Sequence, residues 1–271
     1  MDKPVISEET LVAPVVVSGI AEKAAAGPAY IVLGGISFSH FLNDTMQSLI
    51  PSVYPILKEN YALDFAQIGM ITLAFHVTAS LLQPVVGYVT DSKPQPFSLA
   101  VGMGSTFVGL LLLSVAHSYA MILVAAALIG LGSAVFHPES ARIARMASGG
   151  RYGGNFGAAM GPLLAALSIV PFGQPSIAWF SSIAFVAIVL LVQIGRWYKP
   201  RIVPRRSAAH IRSPEAPPRA RTTVALTILI VLVFSKFIYM SSLTSYYTFY
   251  LIEKFHVSTQ TSQLLLFVFL G

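Results

Sequence analysis

A chain of 271 residues in which 55% of the side chains are hydrophobic and only 10% are charged has too little charged surface for a water-soluble globular domain. Its mean hydropathy of +0.72 indicates a protein whose helices cross a lipid bilayer several times. The net charge of +6 does not indicate a nucleic-acid partner, because the basic residues gather in segments between apolar runs. The absence of cysteine excludes disulfides, thiolate catalysis and cysteine metal sites.

Residues 1–28 are predicted to form a flexible cytoplasmic tail. Charges of both signs surround a short apolar stretch that Pro14 and Gly19 interrupt. A secretory signal has a basic start and an uninterrupted apolar core, so we expect a tail here instead of a signal peptide.

Six apolar runs follow and are predicted to be membrane-spanning helices. They lie at about 29–57, 67–89, 97–116, 119–136, 155–172 and 177–197. The second and third are joined by the short polar turn TDSKPQP, which makes them antiparallel neighbours. The fourth continues into HPESARIARMASGGR, where a helix leaves the membrane. Together they predict an N-terminal six-helix transmembrane bundle over residues 29–197.

Residues 198–221 mark the divide between two bundles. Proline, arginine and serine dominate this segment, which cannot bury a core and is predicted to be a basic cytoplasmic linker. A seventh apolar run at 222–251 and an eighth beginning near Ser262 start a second bundle over residues 222–271. The eighth run has about ten residues, too few to cross roughly 30 Å of hydrocarbon, so we expect this second bundle to be incomplete.

The distribution of lysine and arginine predicts the orientation. With a cytoplasmic N-terminus, the inner segments hold all of the 17 basic residues except Lys58, Lys236 and Lys254. The positive-inside rule therefore favours an N-terminus and a basic linker that both lie in the cytoplasm.

The first apolar run carries an ionisable stripe within SHFLNDTMQSL. His40, Asn43, Asp44 and Gln47 have the spacing that places side chains on one face of a helix. Burying the Asp44 carboxylate alone costs roughly 2.5 to 3.5 kcal/mol on insertion scales, so such a group normally faces a bundle interior or water. The stripe is therefore a candidate transport site. The alternative is that these groups only form hydrogen bonds with neighbouring helices.

Two further side chains are candidates for the same polar cavity. Lys236 lies some fourteen residues into the seventh run, where a cation needs a partner such as Asp44 or an anionic substrate. His76, in the second run, could add to the cavity, although a single buried histidine is more often simply hydrogen-bonded. Both are predicted substrate-binding residues, together with Asn43 and Gln47.

Arg142 stands in FHPESARIAR at a membrane boundary. Glu139 lies three residues earlier and could pair with it along the helix, which leaves open either a structural ion pair or a role in substrate or proton coupling. The sequence His137-Pro138-Glu139 lacks the H-E-x-x-H pattern of zinc proteases. With no nucleophile and base, or metal-ligand set, at workable spacing, we expect no enzyme activity, no metal and no cofactor.

Glycines mark two candidate packing or gating motifs. In GYVTDSKPQP, Gly87 would let two helices approach and Asp91 would cap a helix or pair across a bundle interface. In GAAMGP, Gly157 and Gly161 are four residues apart and precede Pro162, which suits close packing at a bend. For both motifs, a plain structural role is the alternative.

Four strings in this order resemble the major facilitator superfamily, and within it the fosmidomycin-resistance efflux group. They are SHFLNDTMQSLIPSVYPILK, QIGMITLAFHVTASLLQPVVGYVTD, GLGSAVFHPESARIARMASGGR and GGNFGAAMGPLLAA. The resemblance covers nearly all of residues 36–197 and extends more loosely to LLLFVFLG. It implies twelve helices in two six-helix bundles, alternating access around a central cavity, and export of small molecules driven by inward proton flow.

The resemblance also implies roles for particular residues. Gly87 and Asp91 match the superfamily's turn motif, although Pro94, Gln95 and Pro96 replace its usual Gly-Arg-Arg ending. The motif of the fifth helix is matched by Gly157, Gly161 and Pro162. The connection between the fourth and fifth helices is shortened, because only Tyr152 separates ASGGR from GGN.

The apolar runs predict an all-α membrane protein, and the resemblance implies one of the major facilitator type in a bacterial inner membrane, acting as a proton-coupled exporter of small molecules or drugs. Asp44 and His40 are the candidates for proton coupling. A carboxylate and an imidazole both bind and release protons, and burial changes the pH at which each of them does so. Lys236 and Arg142 are the candidates for holding an anionic head group, because a fixed cation in low dielectric attracts anions. The alternative is a truncated, transport-inactive membrane protein or subunit fragment.

Overall fold

The computed structural model describes residues 29–148, 160–202 and 219–271, and its regular elements over these ranges are all helical. The predicted all-α fold is therefore confirmed for this part of the chain. The helices are α1 (Tyr30–Ser52), α2 (Tyr54–Tyr61), α3 (Phe65–Ser92), α4 (Ser98–Ser114), α5 (Tyr119–Ser148), α6 (Met160–Phe172), α7 (Ile177–Tyr198), α8 (Arg219–Phe255) and α9 (Thr259–Leu270).

The described helices follow the apolar runs of the sequence. Four helical segments are long and apolar enough to cross a membrane, at 65–92, 119–147, 174–201 and 222–255. Shorter apolar helices lie at 98–114, 160–172 and 259–270. Helix α1 has the length of a span, but its polar stripe lowers its hydropathy and leaves it outside this set. The tail at 1–28 and most of the predicted linker lie outside the described residues.

The sequence between α1 and α3 contains a helix stop after α2 and a helix start before α3. Helix α2 ends at Ala62, whose φ of 50° gives the left-handed turn that stops a helix. Helix α3 begins with a capping box in which the Asp64 carboxylate accepts from the Gln67 backbone N–H and the Gln67 side chain accepts from the Asp64 N–H. We call this end of the bundle the α2 end.

Helices α1 and α5 are antiparallel neighbours. The N–H of Ala29 donates to the carbonyl of Ala147 at 2.9 Å, which ties the start of α1 to the end of α5. Farther along, Gln47 of α1 meets Ser133 of α5. The end of the bundle at which α1 starts and α5 ends also holds Arg142, and we call it the Arg142 end.

Helix α5 packs closely against α3 and α4 because glycines remove side chains from the contacts. A Cβ at Gly130 would lie 2.1 Å from the Thr78 hydroxyl oxygen, and one at Gly132 would lie 2.1 Å from the Thr106 hydroxyl oxygen. Thr78 belongs to a π-helical turn, Val77–Leu81, within α3, and a second such turn occupies Ala165–Ile169 in α6. Turns of this type often accompany functional sites in helices.

Helices α8 and α9 contact the remainder of the described structure toward the α2 end. Residues 222–239 of α8 are exposed, whereas its later part packs on α3. Three side-chain hydrogen bonds join α8 to α3: Tyr246 to the Phe65 carbonyl, Ser245 to Thr72, and Ser241 to His76. Helix α9 adds bonds from Gln263 to the Ser52 carbonyl and from Gln260 to the Ala166 carbonyl.

Candidate functional site

The predicted polar stripe forms one continuous group of side chains on α1. The His40 Nε2 lies 3.4 Å from the Asp44 Oδ2, one helical turn away. The two side chains are only 13% and 12% exposed, so the pair is largely withdrawn from the surface. An imidazole this close to a carboxylate lowers the cost of placing the carboxylate inside an apolar bundle.

Asn43 and Gln47 extend this group with polar atoms that have no partner. Asn43 is fully buried, and its Nδ2 lies 3.5 Å from the Asp44 carboxylate. The Gln47 Oε1 accepts from the Ser133 hydroxyl at 3.0 Å. Within the described ranges, the Asn43 Oδ1 and the Gln47 Nε2 are buried without a hydrogen-bond partner. Such atoms are costly to leave unpaired, so a polar ligand that met them would be stabilised.

His137 joins the stripe from α5, which the sequence analysis did not predict. Its ring centroid lies 5.4 Å from that of His40, and the Phe136 ring meets His40 edge-on at 5.6 Å. Ser133 and His137 are four residues apart and so share a face of α5. That polar pair in an apolar helix was the signal available in the sequence, but it does not tell which neighbouring helix it faces.

The polar atoms of His40, Asp44 and His137 lie within 4.8 Å of one another, and they are the set closest to a metal site among the described residues. Ligand atoms of a tetrahedral zinc ion are separated by only about 3.3 Å, given metal–nitrogen bonds of about 2.0 to 2.1 Å. The His40 Nε2 and Asp44 Oδ2 are 3.4 Å apart, close to that spacing, but the group has only three members and we assign it no metal.

Arg142 belongs to a separate cluster at the Arg142 end. Its guanidinium contacts the Glu139 carboxylate at 2.5 Å and donates to the Thr90 carbonyl at 2.5 Å. Asp91 lies 4.0 Å away, and Glu139, which is 1% exposed, also accepts from Ser98. These contacts are those of a structural ion pair, and the structure does not bring Arg142 to the stripe.

Lys236 and His76 are also separated from Asp44. Lys236 is exposed on α8, in the part of that helix that does not pack against α3. The Nε2 of His76 lies 3.1 Å from the Ser241 hydroxyl, so this histidine joins α3 to α8. The structure therefore does not place the predicted cation opposite the Asp44 carboxylate.

The glycine motifs behave differently from one another. Gly161 approaches α1 so closely that a Cβ there would lie 2.1 Å from the Ser48 hydroxyl oxygen, and the adjacent Pro162 is buried. Around Gly87, by contrast, a Cβ would have no described heavy atom within 4 Å. The expectation that Gly87 permits close helix approach is therefore not met, whereas Asp91 does face Arg142 across a helix contact. Gly157 lies outside the described residues.

An open groove of about 390 Å³ lies away from the stripe. Valines of α3 and α4, including Val85, Val89 and Val101, line it, and they are exposed on the outside of the bundle. This surface shares no residue with the polar group of α1 and α5.

Four described helices long and apolar enough to cross a membrane, with a largely buried ionisable pair on a neighbouring helix, indicate a multi-pass membrane protein. The sequence profile of the Major Facilitator Superfamily matches residues 36–271. The chain belongs to this superfamily, whose members are transporters and not enzymes.

Two curated relatives match nearly the whole chain. The fosmidomycin resistance protein of Escherichia coli (strain K12) is 51% identical over 266 residues, which cover 94% of this chain and 65% of the relative. An uncharacterized MFS-type transporter, YfnC, of Bacillus subtilis (strain 168) is 38% identical over 266 residues, or 93% of this chain and 65% of the relative. The chain thus spans about 65% of the length of the curated relatives it matches.

Among solved structures, a peptide transporter, POT, in complex with sulfate gives a TM-score of 0.49 at 14% identity. The match covers 89% of this chain and 51% of that structure.

Proposed function

We propose that this protein takes part in proton-coupled export of small molecules, including drugs of the fosmidomycin type, across a bacterial inner membrane, with its N-terminus in the cytoplasm. The observation that carries the proposal is the His40–Asp44 pair beside the unpaired polar atoms of Asn43 and Gln47. The likeness to a fosmidomycin resistance protein supports the substrate class.

In this proposal Asp44 and His40 take up and release the proton, and Asn43 and Gln47 bind polar groups of the substrate. Because the two functions lie within two turns of one helix, protonation of the carboxylate changes the charge that the substrate meets. An anionic head group is favoured when the carboxylate is neutral and repelled when it is charged. Arg142, Lys236 and His76 have partners or positions away from this group and are weaker candidates for substrate contact.

A second candidate is a transport-inactive membrane protein or subunit fragment. The observation that favours it is that residues 222–239 of α8 are exposed along their whole length.

A drug-susceptibility test separates the two candidates. The chain is expressed in a fosmidomycin-sensitive bacterium, and resistance is measured with and without a protonophore. Export predicts resistance that the protonophore removes. Resistance equal to that of the empty vector, from a chain detected in the membrane fraction, would support the inactive alternative.

The role of Asp44 is tested in the same cells. Asp44→Asn keeps the size of the side chain but removes its exchangeable proton, and we expect resistance to fall to the empty-vector level. Glu59→Gln is the matched control, since Glu59 is exposed in α2, away from the stripe. Unchanged proton-driven export by Asp44→Asn would reject the assignment.

A further inference from the structure

His137 completes a line of three proton-exchanging side chains. Asp44 and His40 are one turn apart on α1, and His137 meets the His40 ring from α5. Since the polar atoms of all three lie within 4.8 Å of one another, a proton needs only small side-chain rotations, or one intervening water, to move between them.

The imidazole of His137 is available for this exchange. Within the described residues, neither ring nitrogen has a hydrogen bond, although the backbone carbonyl of His137 accepts from Ser140. The ring contacts Phe136 at its edge and His40 on its other side. It is half-buried, and polar atoms of His40 and Asp44 lie within 4.8 Å of its ring nitrogen.

Asp44, His40 and His137 are arranged along the bundle from its middle toward one end. From Asp44 to His40 the line runs toward the start of α1, and α5 brings His137 to the same level because the two helices are antiparallel. It therefore points from the middle of the bundle toward the Arg142 end. At that end the facing part of α8, residues 222–239, is exposed, whereas the α2 end is joined by hydrogen bonds to α8 and α9.

The other ionisable side chains on the neighbouring helices make their contacts away from His137. Beyond His40 and Asp44, the charged residues and histidines on α3, α4 and α5 within the described ranges are His76, Asp91, Glu139, Arg142 and Arg145. His76 bonds to α8, and Glu139 and Asp91 are held by Arg142. The exposed Arg145 donates to its own helix backbone.

We propose that His137 is the third proton-carrying residue of the site and relays the proton between the His40–Asp44 pair on α1 and the Arg142 end of α5. The inference rests on the proton coupling proposed above. In each transfer one O–H or N–H bond of the donor breaks and one O–H or N–H bond forms on the acceptor, and beyond His137 the partner in the exchange is water at the Arg142 end. The donor thereby loses a unit of positive charge that the acceptor gains, and no electron changes hands.

Histidine NMR tests the relay without requiring transport. The purified chain, labelled in its histidines and held in lipid nanodiscs, is titrated with acid, and His40→Gln and His137→Gln assign the signals. Asp44→Asn is expected to move the titration midpoint of His137 by about one pH unit, the effect of a charge within 4 to 6 Å. The midpoint of His76, bonded to Ser241, stays unchanged, and Glu59→Gln alters neither.

An unmoved His137 midpoint in Asp44→Asn would overturn the proposal, whatever the chain exports. If Asp44→Asn does not fold, the titration midpoint of His137 is measured in His40→Gln instead. This variant removes the ring that contacts His137.

A transport assay gives the second readout. Where the wild-type chain exports, His137→Gln is expected to flatten the pH dependence of export while drug binding is retained. A pH profile that His137→Gln leaves unaltered would reject the relay. An inactive wild-type chain would instead count against the proposed function, and the NMR result would still show whether the titrations of the three groups are coupled.

Discussion

At the scale of single residues, the group on α1 and α5 combines a histidine–carboxylate pair with polar atoms that have no described partner. The His40–Asp44 contact reduces the cost of a carboxylate in an apolar bundle, while Asn43 and Gln47 retain atoms without described partners. These two atoms lie beside the ionisable pair, where a polar ligand could meet both. The unpaired atoms are therefore the feature that most favours a ligand at this position.

Gly161 provides a residue-scale prediction about packing. Gly161→Ala is expected to lower the Tm of the detergent-purified protein, because the new Cβ would overlap the Ser48 side chain and backbone, and overpacking typically costs about 1 to 3 kcal/mol. Gly87→Ala is the matched control and is expected to leave the Tm equal or slightly higher, since alanine favours a helix and the site has room. Equal Tm values for the two variants would contradict this account of α1–α6 packing.

Arg142 provides a second prediction. Arg142→Gln would leave the Glu139 carboxylate buried without its cation, a change that typically costs about 3 to 5 kcal/mol, and we expect a clear loss of Tm. The double variant with Glu139→Gln should recover part of that loss. Arg145→Gln, on the exposed face of the same helix, should change the Tm little. If Arg142→Gln and the double variant lost the same amount of Tm, the unpaired Glu139 carboxylate would not be the cause of the lost stability.

At the scale of elements, α3 and α8 form an antiparallel contact that is closed at one end only. Tyr246, Ser245 and Ser241 of α8 bond to α3 between Phe65 and His76. The register continued toward the Arg142 end would bring Leu229 near Val89, but both are about half exposed, at 56% and 49%. The two helices therefore contact each other at the α2 end and move apart toward the Arg142 end.

Cysteine cross-linking tests this geometry, and the natural chain has no cysteine to interfere. The Thr72 and Ser245 hydroxyl oxygens lie 3.1 Å apart, so Thr72→Cys with Ser245→Cys should form a disulfide under mild oxidation. After tryptic cleavage within residues 203–218, the two fragments should remain joined on a non-reducing gel. Val89→Cys with Leu229→Cys is the control and should cross-link poorly. Equal cross-linking of both pairs would contradict closure at the α2 end alone.

At the scale of the whole molecule, the distribution of basic residues predicts a cytoplasmic N-terminus and linker. Asn60→Cys, on the exposed surface of α2, should therefore react with a membrane-impermeant thiol reagent in intact cells. Ser207→Cys, within the predicted linker, should react only after the cells are permeabilised. The reverse pattern of labelling would overturn the proposed orientation and with it the direction of the proton route.

Much of the architecture could be predicted from the sequence because a bilayer imposes simple rules. A backbone in hydrocarbon must satisfy its own hydrogen bonds, so each long apolar run becomes a helix and the element order follows from hydropathy. The stripe of His40, Asn43, Asp44 and Gln47 followed in the same way from helical periodicity. These features depend on residues close together in the chain.

Partners between helices could not be predicted, because periodicity shows which residues share a face but not which helix that face meets. Only the tertiary structure decided that His137 faces His40, that Arg142 meets Thr90 and Asp91 of α3, and that Lys236 is exposed on α8. It also distinguished Gly161, pressed against Ser48, from the open Gly87. Hydropathy and periodicity determined the helices and the ionisable stripe, and the antiparallel packing of α1 on α5 decided which side chains form a site.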